Sequence, residues 1–97
     1  MVLYQEQLWH LVELWQQPNT VLNVDQIINT LVAHGTQRDF AAQMLVDALN
    51  EGYAYVDRIQ PVPVGYFVWI GLTTSGENTR QMRAVQAQQM AELGGTV

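Results

Sequence analysis

Residues 23–52, "NVDQIINTLVAHGTQRDFAAQMLVDALNEG", hold two helical patterns with almost nothing between them, and that adjacency constrains the fold more than any other feature. In the first pattern Ile27, Ile28, Leu31 and Val32 recur at three- and four-residue spacing, which is one face of a helix. Asn23 is placed to cap it, with Gln26 at the third helical position answering back as in a capping box. Gly35 is the expected left-handed terminator. The second pattern starts one residue later. Thr36 caps it, Asp39 takes the third position, and Phe40, Met44, Leu45, Ala48 and Leu49 form the stripe expected to be buried. Gly52 stops it, so two helices meet across a turn of only two or three residues.

Such a pair is helix-turn-helix grammar, and the flanking segments extend it. "YQEQLWHLVELWQQP", residues 4–18, reads as a preceding helix with Tyr4, Leu8, Leu11, Val12 and Trp15 on one face, ended by Pro18. Trp15 is expected in the core. Trp9 falls beside the stripe, open to solvent, a partner or the rim of the core. After Gly52, "YAYVDR" and "GYFVWIGL" are rich in aromatic and β-branched residues and read as two strands. "IQPVPV" lies between them. Prolines 61 and 63 cannot donate to a ladder and belong to a loop or an edge. The expectation is a hairpin of unequal strands with a stiff apolar tip containing Val62 and Val64. On the second strand Tyr66, Val68 and Ile70 point one way, Phe67 and Trp69 the other. One face packs on the helices; the other is covered by the terminal helix or by another subunit. Thr74, with Glu77 three residues on, is expected to cap a last helix carrying Met82, Val85, Gln86, Gln89, Met90 and Leu93 near heptad spacing, with "GGTV" as a frayed tail. The fold class is therefore α+β: three helices, a two-stranded hairpin and a C-terminal helix in one domain spanning residues 1–97.

This order resembles a winged helix-turn-helix domain. Two pieces carry the resemblance: "LVDALNEGYAYV", residues 45–56, resembles the end of the third helix leading into the first wing strand, and "GLTTSGEN", residues 71–78, resembles the step from wing to final helix. That step is similar to the one in MarR-like regulators and in small phage-associated YjcQ-like families. The resemblance implies a recognition helix over residues 36–51 and a wing over residues 57–65. It also implies a homodimeric DNA-binding transcriptional regulator, with Gln37, Arg38 and Gln43 of the helix and Arg58 of the wing as the nucleic-acid contacts.

The charges point elsewhere. The chain has no lysine and four arginines, and its net charge is −5. Residues 1–35 carry Glu6, Glu13 and Asp25. Residues 36–51 set Arg38 against Asp39, Asp47 and Glu51, and the remainder balances. Phosphate neutralisation supplies most non-specific DNA affinity, and here the presumed recognition helix is acidic. Asp47 is expected on its solvated face. The reading preferred is a non-enzymatic regulatory or protein-interaction module of phage or mobile-element type. Its expected interface is Val62, Val64, Phe67, Trp69, Met82, Val85, Met90 and Leu93. Only 13% of residues are charged, so copies repel one another weakly, and a homodimer held by the terminal helices is expected.

Other functions find no residues to carry them. There is no cysteine, which excludes disulfides and thiolate metal sites. His10 and His34 lie 24 positions apart and read as a helix-surface and a C-terminal-turn histidine, so no metal or other cofactor is expected. Asp39 and Asp47, eight apart, would lie more than about 10 Å from each other on a helix. Ser75 sits in a cap and not in a Gly-x-Ser-x-Gly elbow. With no signal pattern and no apolar run of about 18 residues, a cytoplasmic protein is the expectation.

Overall fold

The structure, a computed structural model, describes residues 5–95, with side-chain environments through residue 90. The order is α1 (Gln5–Val12), β1 (Val21–Asn23), α2 (Val24–Ala33), α3 (Arg38–Asn50), β2 (Ala54–Val62), β3 (Gly65–Leu72) and α4 (Thr74–Gly95). The class is α+β, with four helices and a three-stranded antiparallel sheet in the order β1-β3-β2 among the described residues. Strand β1 corrects the expected two-stranded hairpin. It pairs Val21, Leu22 and Asn23 with Gly71, Ile70 and Trp69, and three residues are too few to show a period-two pattern.

The hairpin also differs from expectation. β2 runs through "IQPV", so only Pro63 and Val64 remain as the turn between the paired Val62 and Gly65. The two strands are nearly equal, nine and eight residues long, because β2 extends through the segment expected as the loop. Pro61 is tolerated inside β2 because β2 is an edge strand and its missing N–H breaks no ladder bond. A bulge lies between Val56 and Arg58.

Helix ends explain where the local readings succeed and slip. Asn23 caps α2 as expected, its Oδ1 accepting from the Asp25 N–H at 2.8 Å. At the other end Gly35, at φ +100°, donates to Val32 O and Thr36 donates to Leu31 O, both at 3.0 Å. This is a Schellman closure. It binds Thr36 into the end of α2, so Gln37 takes the N-cap position of α3, with no side-chain cap bond. The end of α3 repeats the device, with Gly52 at φ +83° and Tyr53 N–H on Ala48 O at 2.9 Å. For α4 the cap is Thr73, not Thr74: its Oγ1 accepts from the Gly76 N–H at 3.2 Å. Glu77 is thereby left free to bind Arg80. α4 continues to Gly95, two residues into the expected tail.

The core gathers on one face of the sheet. Leu8, Leu11, Val12, Trp15, Ile27, Leu31, Ala41, Met44, Leu45, Ala48, Ala54 and Ile70 are buried together. α1 ends at Val12, well before Pro18, and two tight-turn bonds carry the chain on to Trp15. That residue is in the core as expected, its Nε1–H donating to Ile70 O at 3.2 Å. Tyr4 lies outside the described residues. The α3 stripe needs correction. The buried set is Ala41, Met44, Leu45 and Ala48, while Phe40 is 38% exposed. Asp47, expected in solvent, is 5% exposed and accepts a hydrogen bond from Gln43 Nε2 at 2.8 Å. Among the described residues no helix is long and apolar enough to cross a membrane.

Candidate interaction surface

The three-stranded sheet puts its two faces to different uses. Val68, Ile70 and Leu72 of β3 turn toward the core, so Phe67, Trp69 and Gly71 face away from it. β2 supplies their cross-strand neighbours: Gln60 opposite Phe67, Arg58 opposite Trp69, Tyr55 opposite Gly71. The Tyr55 ring lies directly over Gly71, where an added Cβ would fall 2.7 Å from ring carbon. The Arg58 guanidinium sits 5.1 Å from the Trp69 ring centroid, a cation–π arrangement. The outer face is thus a ladder of Tyr55, Arg58 on Trp69, and Phe67. Beyond the helices both faces of the hairpin are open. Ile59, Val64, Tyr66 and Phe67 are exposed, Val64 at the turn to 96%. Val62 beside it is half-buried.

α4 is the second open element. Its first turns rest against α1 and β3, and Arg83 fastens it there. Arg83 Nε donates to Glu13 Oε1 at 2.9 Å while the guanidinium lies 4.8 Å from the Trp9 ring. Trp9 is therefore at the rim of the α1–α4 contact. Every residue from Ala84 to Met90 is exposed. Met82, Val85 and Met90 are exposed by 64%, 53% and 67%. The side chain of Leu93, expected in the same seam, lies outside the described residues.

The four arginines are all engaged within the chain. Arg80 makes a two-pronged pair with Glu77, Nε to Oε2 at 3.0 Å. Hydrogen bonding from Arg80 holds the Glu77 carboxyl below its ordinary range, against the opposing effect of burial. The same bond raises Arg80. Arg83 has Glu13 and Trp9, Arg58 has Trp69, and Arg38 NH2 donates to Asn29 Oδ1 at 2.9 Å across the α2–α3 turn. Of the residues named as nucleic-acid contacts, Gln37 is exposed at the start of α3. Arg38 is tied to α2, Gln43 is half-buried against Asp47, and Arg58 is on the hairpin, on a different element.

Two juxtapositions had no sequence signal. Glu13 and Arg83 meet across 70 positions. His10 and His34 meet edge to face with ring centroids 6.1 Å apart. Among the described residues no third carboxylate or imidazole joins them in a group able to hold a metal. No protein-family description, curated protein or solved structure matches this chain.

Proposed function

We propose that this chain is a winged helix-turn-helix domain acting as a non-enzymatic regulatory module that binds other protein surfaces through its hairpin and α4. The fold reading is supported by the element order, with β1 pairing beside a β2–β3 hairpin that projects past an α2–turn–α3 unit. The observation that carries the function is a pairing of opposites: apolar side chains stand exposed on the hairpin and α4, while every arginine is already engaged within the chain.

A phosphate backbone needs free cations. α3 sets Arg38 against Asp39 on its exposed surface, with Asp47 buried behind them, so a duplex approaching it meets no net positive charge. No specific DNA complex tighter than about micromolar is expected at physiological salt, against the 10 nM or better typical of specific binders. The test is capture from native lysate with and without nuclease, run beside Val64→Asp and Phe67→Ser. Nuclease-resistant partners retained by the parent and lost by both variants support the reading. A defined palindromic DNA site bound at nanomolar affinity would replace it with that of a homodimeric transcriptional regulator. Gln37, Arg38, Gln43 and Arg58 would then be the contacts to mutate.

A further inference from the structure

Twenty-two residues make α4 about 33 Å long at ~1.5 Å per residue. α1 rests only on its first half, where Arg83 is bonded to Glu13 and lies over the Trp9 ring. What remains is a helix face with Met82, Val85 and Gln89 in one stripe at three- and four-residue steps and Met90 at its flank. We propose that this face takes a second copy of the same chain, α4 against α4 and antiparallel. The inference rests on the reading of α4 as an interaction surface and adds the identity of its occupant.

Three observations select a like copy. The first is that the charges on the described part of α4 are already spent: Arg80 is paired with Glu77 and Arg83 with Glu13. No unpaired charge is left there to recruit a charged partner. The second is that the polar residues around the stripe are amides, namely Gln81, Gln86, Gln88 and Gln89. An amide both donates and accepts, so an identical surface satisfies it. The third is the distribution of net charge. Residues 1–52 hold six acids against Arg38 alone, which is the whole −5 of the chain. Residues 53–97 balance three acids with three arginines. Two copies can therefore meet through the neutral half without repulsion. Antiparallel helices send the two acidic bodies to opposite ends of the pair, several screening lengths of about 8 Å apart at physiological salt. Parallel helices would set two bodies of −5 side by side.

The chain has no cysteine, so single introduced cysteines report the contact without background. A disulfide needs Cα atoms within about 7 Å. That separation is reachable across the seam of two helices packed at about 8–10 Å, and not from their outer sides. Antiparallel helices centred on the exposed half bring Gln89 beside the same residue of the second copy and set the two copies of position 85 about 12 Å apart along the axis. Gln89→Cys is therefore expected to form oxidised dimers at micromolar protein, and Val85→Cys far fewer. Equal yields at the two sites would mark parallel helices and overturn the antiparallel pairing. Ala84→Cys and Ala87→Cys, on the far side of the helix, are expected to stay single chains. Sedimentation of the parent is expected to give twice the 11.0 kDa chain mass, and Met82→Ser with Val85→Ser to return it to one. Circular dichroism checks that the variants stay folded. Equal crosslinking at all four sites overturns the proposed face. A parent that stays monomeric up to about millimolar, where interactions weaker than ~4 kcal/mol go unseen, overturns the pairing altogether. If that monomer still captures nuclease-resistant partners through Val64 and Phe67, the interaction reading stands without the pairing. A dimer that crosslinks as expected and binds a DNA site at nanomolar affinity keeps the pairing and removes that reading.

Discussion

Leu45 in α3 and Met82 in α4 are both apolar residues set in a three-four repeat of a helix, yet Leu45 is 4% exposed and Met82 64%. The same contrast runs along β3, where Ile70 is fully buried at the base and Tyr66 stands in solvent near the tip. What separates the regions is the presence of a second layer. α1, α2 and α3 close over the base of the sheet, and α1 closes over the start of α4. Nothing among the described residues reaches the hairpin tip or residues 84–90. Net charge follows the same division, negative in the helical body and balanced in the outer half. Apolar side chains in the body stabilise the fold; those in the outer half are available for contact, with little long-range repulsion to oppose it.

Truncation should separate the regions most sharply. Leu45→Ala is expected to cost about 2–5 kcal/mol, the range for a buried leucine. Met82→Ala, measured on the monomer, should stay within about 0.5 kcal/mol of the parent. Denaturant midpoints decide it, and equal losses at both sites would erase the contrast.

Next in size is the joint between the regions. Gly76 lies in the first turn of α4, where an added Cβ would strike the backbone carbonyl of Tyr53. Backbone cannot swing aside, so Gly76→Ala should cost about 1–3 kcal/mol or somewhat more. Gly71→Ala meets only the Tyr55 ring, which can rotate away, and should cost less. A thermal scan in which Gly71→Ala is the worse of the two would show that the joint is softer than its geometry.

A smaller effect is expected for the fastening of α4 to α1. Arg83→Gln removes a half-exposed ion pair and a cation–π contact, together about 0.5–1 kcal/mol. A double-mutant cycle with Glu13→Gln should recover a coupling of a few tenths of a kcal/mol in low salt that fades in high salt.

The smallest concerns pH. The folded-state pKa of Glu77 is depressed by its bond from Arg80. Its contribution is therefore present above the unfolded value of about 4.3 and is lost as pH falls through the lower folded value. Glu77→Gln should be slightly less stable than the parent at pH 7 and converge with it in acid below about pH 4. A gap that stays constant across that range would mean that the Arg80 bond does not depend on the charge of Glu77.

Local rules made much of the molecule legible in the chain. The Asn23 cap, the Gly35 and Gly52 stops, the four helices and the hairpin depend on backbone sterics and on spacing within a few residues. Those are properties a short peptide already carries. Where neighbours from afar take part, local reading fails. Thr36 has the residue type of a cap, but the end of α2 claims its backbone N–H. Spacing alone puts Phe40 in the α3 stripe, whereas the packing of α3 buries the small Ala41 on its close i, i+3, i+4, i+7 face. Asp47 can be buried because Gln43 binds its carboxylate. β1 exists only because β3 arrives beside it, forty-six positions or more downstream in the chain. The exposed seam of α4 was visible as spacing, but spacing does not distinguish a seam that is covered from one that is not. That distinction came from where α1 stops, because burial is a relation between elements and no single segment contains it.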